Sequence, residues 1–233
     1  MFTTLYIREL QNYLYSLRFQ VSFVIVVLVF TLGSVSFASS FKDMHDNYTK
    51  YSVAQQEAIG KQAENISKVA TARNSFIISP RENSVIADCK ESYLPNRITY
   101  SAYNVFDYSV RHDSNNPLLI RTDSLSWSFI VSMFLSFITL LFAFDAISGE
   151  KEERTLALVF SNAVPRRTFL CSKLLSIITV IGVMELVGII ISLIILAVSG
   201  QVQLNSSFLI ETAGFILISL LFITTFAVFG LLS

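Results

Sequence analysis

Long uncharged runs dominate the pattern of apolar and polar positions along the chain. They occupy residues 19–41, 124–144, 174–200 and 212–233, and Glu185 is the one charged residue within them. At a rise of about 1.5 Å per residue, each run is long enough to cross a hydrocarbon core of about 30 Å as a helix. The pattern predicts an integral membrane protein of the all-α class with four transmembrane helices.

The first 18 residues show a helical period instead of a continuous apolar run. Arg8 and Glu9 lie away from an apolar stripe, and the segment is too polar to span a membrane. The pattern predicts an interfacial amphipathic helix over 1–18 at the membrane surface, the alternative being a helix packed on protein. The apolar positions, at steps of three and four, are Phe2, Leu5, Tyr6, Leu10, Tyr13, Leu14 and Leu17.

A cleaved signal peptide is an alternative interpretation of the first apolar run. Ser36-Phe37-Ala38 resembles a small-residue cleavage site. However, the segment before the run is a long amphipathic helix rather than a short basic one. This favours an uncleaved anchor, transmembrane helix 1, over 19–41.

The polar segment 42–123 carries ten Lys/Arg and ten Asp/Glu, a balance that favours neither a nucleic-acid surface nor an anionic-lipid surface. Its first part, 42–72, is rich in helix formers and free of Pro, so the helix of the first run is expected to continue there. Short strands are predicted over 76–79, 84–88 and 97–106. A segment of about 80 residues can bury a small core, so we expect a small α+β extracytoplasmic domain.

Membrane topology follows from the distribution of basic residues. The segment 145–173 carries five Lys/Arg and four carboxylates, whereas the connection 200–211 has no Lys or Arg. Because short loops rich in Lys and Arg stay in the cytoplasm, the N-terminus and 145–173 are predicted to be cytoplasmic and 42–123 to lie outside. Trp127 then lies near the outer edge of the second span, as an interfacial anchor. Since no basic residue follows the fourth run, we expect further spans after Ser233 or encoded elsewhere.

The segment 145–173 has a local pattern of its own. Gly149 is predicted to end the second transmembrane helix, and Pro165 suits the first turn of the next one. Between them, 150–160 has the pattern of a short amphipathic helix that could lie in the groove of a partner protein, the alternative being packing on the membrane helices or on lipid. The apolar side of this helix carries Leu156, Val159 and Phe160.

The sequence contains no motif for catalysis. Gly-Lys occurs once, at Gly60-Lys61, and Gln55 and Gln62 stand where a phosphate-binding loop requires Gly and Ser or Thr. GxSxG, HExxH and CxxC motifs are also missing. The chain is therefore not expected to be an enzyme, and neither a catalytic residue nor a bound cofactor is predicted.

Metal-binding and nucleic-acid-binding classes are also disfavoured. The two histidines and two cysteines are scattered along the chain, and the predicted topology places Cys89 and Cys171 on opposite sides of the membrane. Lys plus Arg equals Asp plus Glu at 17 each, so no global field attracts nucleic acid. No metal site and no nucleic-acid partner are predicted.

Glu185 lies about 18 Å into the third predicted span, close to the middle of the bilayer. A carboxylate there costs at least about 2.5–3.5 kcal/mol on insertion scales, so the side chain is expected to face a partner or a cavity. Gly182, Gly188 and Ser192 allow close helix approach nearby. Two roles stay open for Glu185: a residue that lines or gates a transmembrane pathway, and a packing residue.

A series of short motifs follows the second apolar run. In order they are Asp145, Ser148-Gly149-Glu150, Glu152-Glu153, Arg154-Thr155-Leu156, Leu158 to Ser161, Ala163-Val164-Pro165-Arg166 and Ser172-Lys173. The series resembles the first cytoplasmic loop of ABC exporter permeases of the type-2 class, and 7–19 is similar to the entry helix of that family. Arg154 and Ser172 stand where the family has glycine. Each puts a side chain where the family keeps the backbone exposed, so a different local turn and weaker docking are expected there.

The resemblance implies a permease subunit of an ABC transporter, an exporter or an ATP-driven conformational relay, in the plasma membrane, here a bacterial inner membrane. ATP and Mg²⁺ would bind to a separate ABC ATPase subunit, and a second permease subunit, identical or different, would complete a dimer in the lipid bilayer. The chain would correspond to the first four of six spans. ATPase coupling would fall on Ser148, Gly149, Glu150, Glu152, Thr155, Leu156, Val159, Phe160, Pro165, Arg166 and Lys173.

The alternative from another functional class is a membrane-anchored sensor or assembly scaffold whose extracytoplasmic domain binds a ligand or partner. It predicts no dependence on ATP. A membrane-embedded enzyme is disfavoured because the four apolar runs hold one charged residue.

Overall fold

The computed structural model describes residues 2–62, 74–87, 97–100, 107–109, 125–152, 165–200, 202 and 205–232. Four helical segments in these ranges are long and apolar enough to cross a membrane, which confirms the four predicted spans. A π-helical turn, Val131–Leu135, joins the two parts of the second span. The helices are α1 (Phe2–Tyr15), α2 (Leu17–Gln62), α3 (Trp127–Ile130), α4 (Ser136–Glu152), α5 (Arg166–Ser199) and α6 (Ser206–Leu232).

Ser16 forms a sharp elbow between α1 and α2. Its hydroxyl donates a hydrogen bond to the Tyr13 carbonyl, at 2.7 Å, and accepts one from the Phe19 N–H, at 3.1 Å. The second contact is an N-cap, which satisfies one of the free N–H groups at the start of α2. One side chain therefore ends the first helix and begins the second.

Helix α5 lies at the centre of the bundle and packs against α1, α2, α4 and α6. Phe30 and Ser34 of α2 meet Gly188 and Ser192 of α5 in the same order along both helices, so α2 and α5 run parallel. Contacts of Glu185 with Ser219 and of Gly182 with Leu220 run in the opposite order, so α5 and α6 are antiparallel. The chain thus crosses the bundle in alternating directions.

The alternating directions sort the connections to the two ends of the bundle. Helix α1 and the two ends of the 145–173 segment lie at one end. The far part of α2, the strands and the 200–205 connection lie at the other. The arrangement agrees with the relative placement that the charge pattern predicts, while the assignment of either end to the cytoplasm remains a prediction.

Helix α2 continues without a break for 46 residues, through Gln62. At about 1.5 Å per residue it is about 69 Å long, more than twice the thickness of the hydrocarbon core. The part beyond Lys42 is polar and mostly exposed. The prediction that the first helix runs on past its apolar segment is confirmed as far as Gln62, and residues 63–72 lie outside the described residues.

Three short strands form an antiparallel sheet in the order β1 (Asn74–Ile77), β2 (Arg97–Tyr100) and β3 (Asp107–Ser109). The first two overlap the strands predicted over 76–79 and 97–106, although positions 101–106 lie outside the described residues. β3 was not predicted. The described parts of 42–123 show this sheet, the end of α2 and a short 3₁₀ helix, and the complete α+β domain remains a prediction.

The strand predicted over 84–88 is wrong, because Glu82–Val85 forms a 3₁₀ helix. The Ser84 hydroxyl donates to the Arg81 carbonyl at 2.7 Å, and the Ile86 N–H donates to the Asn83 carbonyl at 3.1 Å. Ser favours such side-chain-to-backbone bonds over an extended ladder. The turn packs on the bundle, since Val85 and Ile86 are buried.

Candidate functional site

The first part of the 145–173 segment is a continuation of helix α4. Gly149 was predicted to end the second transmembrane helix, but the helix α4 runs three residues further, to Glu152. The Ser148 hydroxyl donates to the Phe144 carbonyl at 3.0 Å, as in an ordinary helix turn. A glycine in a helix interior is destabilising by only about 0.5–1 kcal/mol, which the neighbouring turns can offset. Ser148 and Gly149 thus lie in a helix rather than in a loop.

The remaining predicted coupling residues fall into three groups, of which the third, Pro165, Arg166 and Lys173, lies at the start of α5. The backbones of Glu150 and Glu152 belong to the last turn of α4. Thr155, Leu156, Val159 and Phe160 lie outside the described residues, as does the part of the predicted 150–160 helix beyond Glu152.

The segment returns to the bundle at Pro165. Pro165 is the N-cap of α5, with an extended backbone at φ −62° and ψ 131°, and it accepts a hydrogen bond from the Phe169 N–H at 3.2 Å. The helix begins at Arg166, whose side chain is exposed together with that of Arg167. Pro165 was predicted in the first turn of the helix and instead lies one position earlier, at the N-cap. The missing N–H of proline has little effect on the helix at either position.

Lys173 is buried, whereas Pro165 and Arg166, to which the resemblance also assigns coupling, are exposed. Its side chain is 2% exposed, and its ammonium group forms an ion pair with Glu9 of α1, with Nζ 3.1 Å from Oε2. The ammonium also lies 5.0 Å from the centre of the Phe169 ring. Lys173 is therefore covered by α1, the protein's own N-terminal helix.

Helix α1 packs on α5 with one edge of the stripe that the sequence predicts. The Tyr6 hydroxyl donates to Thr179 Oγ1 at 3.0 Å, and the Ser176 hydroxyl donates to the Tyr6 carbonyl at 3.3 Å. Leu10 and Tyr13 pack against the buried core, whereas Phe2, Leu14 and Leu17 remain exposed. The alternative of packing on protein thus applies to part of the stripe, and the exposed part suits the membrane surface.

Arg18, the first charged residue of α2, forms an ion pair with Asp145 of α4. Both side chains are well exposed. The sequence analysis did not predict the ion pairs of Glu9 and Arg18. The signal in the sequence was charge complementarity, since each residue has an opposite charge at one limit of the 145–173 segment.

A chain of three polar side chains joins α2, α3 and α5 near the other end of the bundle. Trp127 Nε1 donates to the Ser192 hydroxyl at 2.7 Å, Ser192 contacts Ser34, and the Ser34 hydroxyl donates to the Phe30 carbonyl at 2.7 Å. The Trp127 ring packs against Phe208 and Phe215. Each hydroxyl thus has both a donor and an acceptor, as buried polar groups require.

The prediction that Trp127 is an interfacial anchor is wrong. The side chain is 1% exposed and lies inside the bundle. The indole N–H finds its partner in Ser192, and the aromatic rings of α6 cover the ring face, so the side chain gains more from protein contacts than from the lipid headgroup region.

Removing the indole N–H tests this polar chain. Trp127→Phe keeps an aromatic ring but loses the bond to Ser192, so we expect the free energy of unfolding to fall by about 1 kcal/mol. Phe144→Leu, at an exposed aromatic on the same span, serves as the control and should change it by less than about 0.5 kcal/mol. Thermal unfolding of the purified protein in detergent measures both, and an unchanged midpoint for Trp127→Phe would contradict the assignment.

Glu185 lies fully buried between α5 and α6. Oε1 of its carboxyl group contacts the Ser219 hydroxyl, which also lies 2.9 Å from the Ile216 carbonyl. Among the described residues, Oε2 has no hydrogen-bond partner. The side chain therefore faces another helix, as its position in the span predicted, and its role in a pathway or gate remains a prediction.

Small residues let the helices approach closely around Glu185. A Cβ atom on Gly188 would lie 2.6 Å from Cδ2 of Phe30, and one on Gly182 would lie 3.1 Å from Cδ2 of Leu220. Ser192, one turn after Gly188, contacts Ser34. The close approach predicted for these three positions is confirmed.

Comparison with protein families gives one match, to the family described as ABC-2 family transporter protein, over residues 3–233. Neither the curated proteins nor the solved structures gave a match. The family match covers α1, all four spans and the charged segment between the second and third spans, in the order in which the structure arranges them. The chain therefore belongs to the ABC-2 family of transporters and is a multi-pass membrane permease.

Proposed function

We propose that this permease subunit couples ATP hydrolysis by a separate ABC ATPase subunit to export, or to conformational work, across the membrane. The ATPase would bind ATP and Mg²⁺ and contact the 145–173 segment. Two permease subunits, identical or different, would form the membrane part of the complex. The N-terminus would face the cytoplasm, in a bacterial inner membrane.

One observation carries the proposal: the charged segment begins on α4 and ends on α5. Helix α4 packs on α6, and α5 packs on α1, α2 and α6. A displacement of the segment is thus applied directly to α4 and α5, and between them these two helices contact all the remaining spans. Since packed helices move as rigid bodies, such a displacement can shift the whole bundle.

The exposed residues at the ends of the segment support a contact with a soluble partner. Arg166 and Arg167 are exposed at the start of α5, and α4 ends in the charged turn that contains Glu150 and Glu152. Exposed charges such as these two arginines are typical of a polar interface rim. The apolar residues Leu156 and Phe160, predicted to share one side of a short helix, would provide the centre of the contact.

The test is co-purification of the ATPase subunit with variants of the permease. Leu156→Asp and Phe160→Asp each place a carboxylate in the expected apolar contact, so we expect the ATPase to be lost from the purified complex while the permease stays in the membrane. Leu158→Asp is the matched control, because position 158 lies on the opposite side of the predicted helix.

Retention of the ATPase by Leu156→Asp and Phe160→Asp, at the level of the control, would contradict the coupling role. In that case the sensor or scaffold alternative would gain support. Loss of the ATPase from all three variants, including Leu158→Asp, would show that the segment as a whole is needed without identifying its apolar side as the contact.

A further inference from the structure

We infer that the elbow formed by α1 and the start of α2 is a clamp that holds the two ends of the 145–173 segment, with Glu9 and Arg18 as its positioning residues. Arg18 binds Asp145 where the segment begins, and Glu9 binds Lys173 where it ends. The importance of the clamp for transport rests on the proposed function, whereas its existence does not.

The two ion pairs lie on opposite sides of the Ser16 elbow, one on each helix. Ser16 is hydrogen-bonded to the end of α1 and to the start of α2, so local bonds restrain the junction between the two helices. A displacement of α5 relative to α4 must therefore either break an ion pair or move the elbow. The elbow thereby relates the positions of the two segment ends to each other.

The Glu9–Lys173 pair is the stronger of the two. Both side chains are largely buried, Lys173 at 2% and Glu9 at 13% exposure. Removing one partner of a buried pair leaves the other as an uncompensated charge, which is far more harmful than losing an exposed pair. The ring of Phe169, 5.0 Å below the ammonium, cannot replace a carboxylate.

The Arg18–Asp145 pair is exposed, at 66% and 41%, so it is expected to be weak and sensitive to salt. The clamp is therefore asymmetric. It holds the α5 end tightly and the α4 end loosely, so that the start of the segment is the end that is free to move.

A cysteine introduced under α1 can report, through its rate of labelling, whether α1 stays packed on α5. Ser176 is fully buried and its hydroxyl contacts the Tyr6 carbonyl. In a Ser176→Cys variant that also carries Cys89→Ser and Cys171→Ser, we expect slow reaction with maleimide in membranes. Adding Glu9→Gln should raise the rate about tenfold or more, because α1 then lifts off α5 more often.

Two further variants separate the ion pair from a general loosening of α1. Arg8→Gln changes an exposed charge on the same helix and should leave the rate unchanged. Glu9→Lys with Lys173→Glu restores an ion pair in the opposite sense and should return the rate towards that of the parent. A rate that Glu9→Gln does not alter, or that Arg8→Gln raises equally, would overturn the clamp.

Addition of nucleotide keeps the clamp distinct from the proposed function. With Mg²⁺-ATP and vanadate in membranes that hold the complete complex, the coupling proposal expects the labelling rate of exposed Cys171 in the unaltered chain to change. A labelling rate of Cys171 that does not change with nucleotide would contradict coupling. The clamp would still be tested by comparing the Ser176→Cys labelling rates of the Glu9→Gln and Arg8→Gln variants without nucleotide. If Cys171 responds and the Ser176→Cys thiol does not, the clamp holds α1 on α5 throughout the cycle, as the buried pair requires.

Discussion

Alanine in place of Gly188 is expected to destabilise the bundle by about 1–3 kcal/mol, because the added methyl group has no space. Its Cβ would lie 2.6 Å from Cδ2, 2.9 Å from Cγ and 3.0 Å from Cε2 of Phe30. Phe30 is itself fully buried, so its ring cannot swing aside into lipid. The contact lies between α2 and α5, so the strain would push these two helices apart.

Gly214 provides the matched control for this substitution. It lies in transmembrane helix α6, and a Cβ there meets nothing within 4 Å. Gly214→Ala should be neutral or stabilise the protein by up to about 1 kcal/mol, since alanine favours the helix. In addition, Phe30→Leu should partly rescue Gly188→Ala by making room for the methyl group.

Thermal unfolding of the purified permease in detergent measures these effects. For a chain of this size, about 1 kcal/mol corresponds to a midpoint shift of roughly 2–4 °C. Equal midpoints for Gly188→Ala and Gly214→Ala would show that α2 and α5 do not approach as closely as the structure indicates.

Removing the Ser219 hydroxyl is expected to destabilise the protein by about 1–3 kcal/mol, because Glu185 then loses the partner of its Oε1 atom. Oε2 has no partner among the described residues, so the Ser219→Ala variant leaves a buried carboxyl group unsatisfied at both oxygens. Ser132→Ala, at an exposed serine whose hydroxyl also bonds to its own helix, is the control and should have little effect.

The double variant Glu185→Leu with Ser219→Ala distinguishes this explanation from a simple loss of packing. With both polar groups removed, no buried oxygen is left unsatisfied, so the double variant should be more stable than Ser219→Ala alone. A strictly additive result would contradict it. If Glu185→Leu is stable but abolishes ATP-dependent work by the complex, Glu185 lines or gates a pathway, and if it retains that work, Glu185 is a packing residue.

The sequence by itself determined the four spans, the end of α5 and the position of the charged segment. Runs without charge have one stable solution in a bilayer, because a helix satisfies its own backbone groups there. Gly200 follows the last residue of α5 in a left-handed conformation, with φ 65°, as a glycine after a helix is expected to do. These features depend on local composition, which a single sequence shows directly.

Errors arose where the outcome depended on distant partners. Trp127 was placed at the lipid interface because tryptophan prefers that region, but α5 and α6 offer it a hydrogen bond and aromatic contacts in the interior. Gly149 was expected to break a helix that in fact continues. In the 84–88 segment, the local bond of the Ser84 hydroxyl and the backbone bonds of the turn outweighed the strand preference of Val and Ile.

Only the tertiary structure decided which residues meet. The sequence shows the charges of Glu9, Arg18, Asp145 and Lys173 but not their partners. Their pairing depends on the parallel course of α2 and α5 and on the elbow at Ser16. Likewise, the sequence places Glu185 in mid-span but does not identify Ser219 as its neighbour. Hydrophobicity fixes how deep each residue lies in the membrane, whereas the rotation of each helix about its axis is set by packing, and rotation determines every pair.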